Sequence, residues 1–405
     1  MIAPLASANT RPGLVIVSNE QTPYRIHFHR RIVHEIPELE LFSFFTHEVA
    51  SSPWLYEDVA EINPILIGTG EKSSAQSKLT SAPREWTKGG QIIGWMSQRD
   101  IAAVVVLGYN DVGRLRIIRW CKKQRIPCFL FGDSNVRGDT RRRWLRLLKR
   151  AILPAIIRSC SGVLCCGALG REYFLRYGAQ PDSIRLMPYE PAYDEIRNVS
   201  ADAVLTVRRA YNLSEDRRYI LFVGRIEQTK RPDLLLHAFE QIADHRPDWD
   251  LLFVGDGSLR ESLQSSVPAR LASRVKWTGF IANPVTIYAL YASCDLFVLP
   301  SDYEPWGVVI TEAAVHLPII ASTAVGAAHE LVNDGVNGKF FIPGDLDGIS
   351  GSLLYGTDAT RASHMRSKSR ETLGQWRRTA DPIRGLRQAL QSANALSAST
   401  APRCV

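Results

Sequence analysis

Two glutamates stand close together in the segment Leu299-Pro300-Ser301-Asp302-Tyr303-Glu304-Pro305-Trp306-Gly307-Val308-Val309-Ile310-Thr311-Glu312, with seven residues between them. Carboxylates accept hydrogen bonds from hydroxyl groups, so such a pair suits a ribose and a hexose. The segment reads as strand, loop and helix, with Gly307 at the helix start and helical spacing continuing to His316. Free amides at a helix N-terminus favour phosphate. Taken singly, each glutamate reads mostly as a plain surface residue. Their spacing around Pro305-Trp306-Gly307 favours a ligand site.

Two further segments carry compatible chemistry. Tyr219–Val223 is an apolar run followed by Gly224-Arg225-Ile226-Glu227-Gln228-Thr229-Lys230 and a helix opening at Pro232. Glycine permits close backbone approach, Arg225 offers a planar fork for phosphate oxygens, and Lys230 adds a point charge. As isolated features they could equally be solvated cations. Val254-Gly255-Asp256-Gly257 follows another apolar run and suits a nucleotide pocket, although a lone Gly-x-Gly also makes an ordinary strand-to-helix turn.

These segments must be positioned by strands buried on both faces. Short continuous apolar runs recur at Leu14–Val17, Leu41–Phe45, Ile65–Ile67, Ala102–Leu107, Cys128–Phe131, Val163–Cys166 and Ile184–Met187. The second half repeats the rhythm at Tyr219–Val223, Leu251–Val254, Val275–Thr278, Leu296–Leu299, Ile319–Ala321 and Lys339–Ile342, with helical stretches such as 231–244 between them. Strand–helix alternation predicts α/β domains with doubly wound parallel sheets, whose ligands sit at the carboxyl ends of the strands. A length of 405 residues requires more than one core. The join falls near Pro188–Ser200, dividing the chain into 1–195, 196–375 and a terminal segment 376–405. A helix is expected from Ala201 to Tyr211, and disorder over 397–405.

Residues 219–345 resemble the donor half of retaining family-4 glycosyltransferases of the GT-B fold, in which two Rossmann-like domains face each other across a cleft. The matching pieces are Phe222-Val223-Gly224-Arg225 with Lys230, Val254-Gly255-Asp256-Gly257, the Glu304…Glu312 pair, and Val325-Gly326 through Glu330 to Gly335 and Gly338. The resemblance is loose over 1–200. It implies a nucleotide-diphosphate sugar, UDP- or GDP-linked, as donor. Arg225 and Lys230 then neutralise the departing diphosphate, and Glu312 holds the ribose. Glu304 contacts the transferred sugar beside the amides of Gly307 and Val308, Gly255 and Asp256 line the pocket, and Gly279-Phe280-Ile281 lies against the base. It also implies retention of anomeric configuration, no metal or other cofactor, and a terminal helix crossing back to the first domain, for which Trp376, Ile383, Leu386 and Leu390 have helical spacing. Two Asp-x-Asp triplets, at 248–250 and 345–347, would suit a metal instead, but the first precedes a strand and the second falls where an N-cap belongs.

The amino half departs from the family. Where relatives usually carry a glycine-rich loop, this chain has Ser18-Asn19-Glu20-Gln21-Thr22-Pro23-Tyr24-Arg25, and Tyr24 and Arg25 either face the acceptor or belong to a structural loop. Where relatives often carry a histidine, Gly132-Asp133-Ser134-Asn135 follows a strand, leaving Asp133 or Asn135 as the candidates on the acceptor side. His27, His29 and His34 read as ordinary surface or satisfied residues. Residues 137–158 are rich in arginine and lysine. Trp144, Leu148, Ala151 and Ala155, with Leu145, Ile152 and Ile156, recur at helical spacing opposite Arg142, Arg146, Lys149 and Arg150. This is either a core-packed helix with a solvated face or a surface for anionic membrane. The second reading fits a lipid-linked or glycan acceptor in polysaccharide or cell-envelope synthesis.

A net charge of +8 suits an anionic partner without choosing one. Seven cysteines without a Cys-x-x-Cys pair point to reduced thiols. No apolar run approaches the roughly 18 residues of a membrane span, and Leu14–Val17 is too short for a signal core, so a cytoplasmic protein is expected, peripheral on the inner face of the membrane. Rival readings are a GT-B sugar phosphorylase or nucleotide-sugar epimerase, a glycosidase using the two carboxylates, and a non-catalytic nucleic-acid-binding protein. The last lacks aromatics interleaved with the basic cluster, so no specific nucleic acid is expected.

Overall fold

The computed structural model describes residues 11–49, 54, 56–140 and 143–397. Among these residues thirteen strands form two sheets, one in each half of the chain. The first holds β1 (Gly13–Ser18), β2 (Glu40–Phe45), β3 (Pro64–Leu66), β4 (Ile101–Leu107), β5 (Cys128–Gly132), β6 (Gly162–Cys165) and β7 (Ile184–Leu186) in the order β3-β2-β1-β4-β5-β6-β7. The second holds β8 (Arg218–Val223), β9 (Trp249–Val254), β10 (Val275–Trp277), β11 (Leu296–Leu299), β12 (Ile319–Ser322) and β13 (Gly338–Phe341) in the order β10-β9-β8-β11-β12-β13.

Every neighbouring pair is parallel. All thirteen apolar runs are strands, because a parallel sheet covered by helices on both faces tolerates no polar alternation. In each sheet the strand order reverses beside the first strand, between β1 and β4 and between β8 and β11. Loops leaving these strands diverge there and open a crevice. This is the two-domain architecture of the GT-B fold.

Helices close the connections. Ser200 caps the helix Ala201–Ala210 by accepting from the Ala203 amide. Asp345 does the same for Leu346–Gly356, accepting from Gly348 at 2.9 Å. The other aspartate triplet is also structural: buried Asp250 pairs with Arg217, and Arg274 lies 3.7 Å away. The helical pattern near the end is broken in two, Ala359–Thr379 and Pro382–Ser392, because Pro382 lacks an amide hydrogen and Asp381 caps a new start. The second piece does return to the first domain. A Cβ on Gly385 would lie 1.8 Å from the Leu186 carbonyl oxygen, Arg387 donates to the Glu35 carbonyl at 2.7 Å, and Arg31 pairs with Asp381 at 2.9 Å.

The basic helix, Arg143–Ile157, bears on the two readings left open by its sequence. Its buried side is Leu153 and Ile157, whereas Leu147, Leu148 and Ile152 are 62%, 49% and 48% exposed. The apolar stripe faces solvent at Leu148, Ala151, Ile152 and Ala155, which is against the core-packed reading. The helix joins the core of its domain through Leu153 and Ile157, and Lys149 reaches Asp139 at 3.2 Å. Arg141 and Arg142 lie outside the described residues, as does the terminal stretch 398–405.

Candidate active site

The carboxyl half builds one wall from the loops leaving β8, β9, β10 and β11. Gly224 follows β8, and its amide donates to the Val254 carbonyl at 3.0 Å, while Ile226 donates to Asp256 at 2.9 Å. A side chain at Gly255 is impossible without rearrangement: its φ is +136°, and a Cβ would lie 1.9 Å from the Gly224 oxygen. The Gly-x-Gly thus locks the β8 and β9 loops together. Gly255 also donates to Gly279 at 2.9 Å, which brings Phe280 and Ile281 to the same rim. Phe280 is half-exposed with its ring edge-on to Trp54 at 5.5 Å, and Ile281 is buried. Asp256 is held locally, by Arg260 at 3.0 Å and its neighbour's amide at 2.8 Å.

Lys230 and Glu304 meet as an ion pair at the centre of this wall. Their loops are joined three times: Asp302 donates from its amide to Thr229 at 3.0 Å, Arg231 pairs with Asp302 at 3.2 Å, and the Lys230–Glu304 pair completes the set. Gly307 has φ +89°, the left-handed turn that starts the helix Val308–Ala313. That helix is shorter than the expected run to His316, because its last carbonyls are taken by turn bonds ahead of Pro318. Arg225 stands apart, open to solvent and paired with Glu227 at 3.0 Å.

Glu312 sits one turn along, accepting from the Tyr291 hydroxyl at 2.8 Å. Burial pushes its carboxyl up to about 7, against the opposing effect of the Tyr291 hydrogen bond. The pair read together in the sequence therefore divides in the structure: Glu304 pairs with a cation, and half-buried Glu312 with a tyrosine hydroxyl.

The opposite wall comes from the amino half. Arg25 is buried near the start of the helix Pro23–Glu35, donating to the Glu20 carbonyl and to the Tyr189 hydroxyl. The rings of Tyr24 and Tyr189 lie 4.9 Å apart, with the guanidinium 5.8 Å and 5.7 Å from their centres. Asp133 leaves the end of β5 open to solvent but surrounded by protein. That crowding pushes its carboxyl above the usual range, Arg25 opposes the rise, and Glu304 across the cleft adds to it. Asp133, Arg25 and Glu304 thus share one field. Asn135 is turned elsewhere: it is 2% exposed and its amide reaches the backbone of the facing domain. His29 is a satisfied core residue, 2.8 Å from the Ser43 hydroxyl.

A polar network behind the first loop carried no motif in the sequence. His47, Glu71 and Glu85 converge as metal ligands would. Lys88 already supplies the cation there, 2.8 Å from Glu71, 2.9 Å from Glu85 and 3.1 Å from His47. Nearby, buried Arg114 pairs with Asp111, which also accepts from Gln76. This network buttresses the loop, since Thr46 and His47 donate from their amides to Ser18 and Asn19.

Comparison with known proteins bears on the family of the carboxyl half and on the fold. Residues 205–358 match the family of glycosyl transferases group 1. An uncharacterised glycosyltransferase of Methanocaldococcus jannaschii is 34% identical over 49% of this chain and 50% of its own length. The alpha-D-kanosaminyltransferase of Streptomyces kanamyceticus is 30% identical over 45% of this chain and 47% of its own. The chain thus spans about half the length of these curated relatives. Among solved structures, Anabaena HepE in complex with UDP and glucose superposes with a TM-score of 0.69 and 17% identity, covering 95% of this chain and all of that one. Sucrose-phosphate synthase from Thermosynechococcus elongatus gives 0.73 and 18%, with the same coverage of this chain. The fold of both is that of this protein.

Proposed function

We propose that the protein is a retaining, metal-independent glycosyltransferase that moves a sugar from a UDP- or GDP-linked donor to a glycan or lipid-linked acceptor. The observation that carries this reading is the Lys230–Glu304 pair, set where β8 and β11 part and facing Arg25 and Asp133 across the cleft. Lys230 and Arg225 balance the negative charge that grows on the diphosphate as its bond to the sugar carbon breaks. Glu304, released from Lys230 by that phosphate, accepts hydrogen bonds from the sugar hydroxyls, and Glu312 accepts those of the ribose. The acceptor oxygen bonds to the same face of the sugar carbon, and its proton leaves on the diphosphate. Asp133 and Arg25 orient the acceptor and the sugar from the other side.

Thermal unfolding with UDP, GDP, ADP and TDP tests the donor reading. A nucleotide at about a hundred times its dissociation constant stabilises by ~2.7 kcal/mol. One of the four is expected to do so, and indifference to all of them sinks the reading.

The acceptor reading rests on the exposed Leu147, Leu148 and Ile152, flanked by Arg146 and Arg150. Apolar side chains ringed by arginine suit an anionic lipid surface, where each cation contributes roughly 1 kcal/mol. No helix among the described residues is long and apolar enough to cross a membrane. Sedimentation with phosphatidylglycerol vesicles at low salt should carry the protein down, and a Leu147→Ser/Leu148→Ser/Ile152→Ser variant should stay in solution. Equal binding to phosphatidylcholine, or none to either, removes the membrane from the reading.

A further inference from the structure

The loop after β5 reaches across the cleft and grips the loop that carries Glu304. Asn135 donates its side-chain amide to the Pro305 carbonyl at 2.8 Å and to the Glu304 carbonyl at 3.3 Å. Its side-chain oxygen accepts from the amides of Arg137 and Gly138 at 2.9 and 3.1 Å, so its own loop is folded around the same group. Gly138 lies so close to Tyr303 that an added Cβ would fall 2.1 Å from the ring. The Trp306 indole donates to the Tyr189 carbonyl at 2.9 Å, and Glu330 accepts from the Ala168 amide at 2.6 Å. The segment 303–306 is therefore held from the amino half at three consecutive places.

Within its own domain the same segment is held as well, with Trp306 accepting from the Ala327 amide at 2.7 Å and Glu304 paired with Lys230. Glu304 exchanges backbone bonds with Ala324 and Gly326 at 3.3 and 3.0 Å, and Pro305 has no amide to offer. The carbonyl of Pro305 points at the other domain, and a buried Asn amide is spent on it. An unmade bond at a buried carbonyl is costly, so the pairing favours the docked state of the two loops. Asp133 stands two residues before Asn135 on the same loop, so one rigid piece both presents Asp133 to the cleft and fixes the peptide of Glu304.

We propose that Asn135 is a positioning residue: docked across the cleft, it sets the backbone of Glu304 so that this carboxylate and Lys230 adopt the arrangement needed for transfer. The inference rests on the donor-site reading above. Small displacements of a reacting group are expensive in rate, so the effect falls on turnover rather than nucleotide affinity.

The test uses the full chain with Asn135→Asp, which keeps the oxygen that accepts from Arg137 and Gly138 but removes the donor to the facing carbonyls. Gly138→Ala, pressing on Tyr303, is the second variant. Hydrogen exchange over 302–307 is read together with nucleotide-induced stabilisation and with nucleoside diphosphate released from UDP-glucose and GDP-mannose. In both variants exchange over 302–307 should speed up about tenfold or more while β11 and β12 stay protected, with stabilisation by the nucleotide unchanged. Where the parent releases nucleoside diphosphate, release by the variants should fall about tenfold or more. Parental exchange over 302–307 in Asn135→Asp overturns the proposal. If no nucleotide stabilises the parent, the donor reading fails, whereas the exchange measurement still decides whether Asn135 holds the loop.

Discussion

The loops after β1 and after β8 occupy equivalent places in two sheets of the same handedness and order, yet they are built oppositely. After β8 comes Gly224, then Arg225, open to solvent, and Lys230, whose carboxylate partner lies on a different loop. After β1 there is no glycine. Glu20 is buried against Ser73, Gln21 exchanges hydrogen bonds with the backbone of Glu57, and Arg25 is sealed among Tyr24, Tyr189 and the Glu20 carbonyl. Charge sealed among buried groups of its own domain is held in one place by the fold. Charge left accessible, or paired so that a phosphate can replace one partner, makes a binding site. On the proposed function, the carboxyl half takes the anionic donor and the amino half faces the acceptor.

The sharpest way to break this contrast is Lys230→Ala. Removing a cation from the leaving group typically costs about 3–4 kcal/mol, so turnover should drop at least about a hundredfold. Near-parental turnover would show that the ion pair is structural on this wall too. Arg25→Met makes the complementary cut. It should lower kcat/KM for the acceptor by about tenfold while leaving stabilisation by the nucleotide unchanged. Loss of nucleotide binding in that variant would place Arg25 in the donor site and erase the distinction between the loops.

A smaller effect comes from Glu312, whose carboxyl is pushed up to about 7 by burial. Its folded value lies above its ordinary one. Between about pH 4.5 and 7 the folded chain therefore holds a proton that the unfolded chain has released, and this group's contribution to stability declines as pH rises through that window. Ribose hydroxyls donate best to the ionised form. Nucleotide affinity should then weaken below about pH 7, by up to about tenfold per unit, and Glu312→Gln should flatten the profile. A parental profile already flat from pH 6 to 8 would mean that the ribose is held by another group.

Much of this was legible in the chain. Each continuous apolar run became a parallel strand, and the glycines at 255 and 307 stand where backbone approach or a left-handed turn requires them. The Glu304…Glu312 spacing was legible, but the different partners of the two carboxylates were not, because Tyr291 comes from the preceding helix and Lys230 from another loop. The outward face of the basic helix was left open between two readings for a related reason: periodicity shows that apolar residues share a side, whereas only packing decides which side meets the sheet. His47, Lys88 and Arg114 gave no signal at all, since their partners are spread over four separate elements.

By itself, the sequence determined the two sheets, the loops at their carboxyl ends and the kind of ligand those loops suit, because these follow from periodicity and from residue types a few positions apart. The tertiary structure alone decided that Lys230 meets Glu304, that Asp133 shares their field, and that Asn135 reaches across to the Pro305 carbonyl. Such contacts join residues up to 170 positions apart, and their energies depend on distance and burial, which no local pattern encodes.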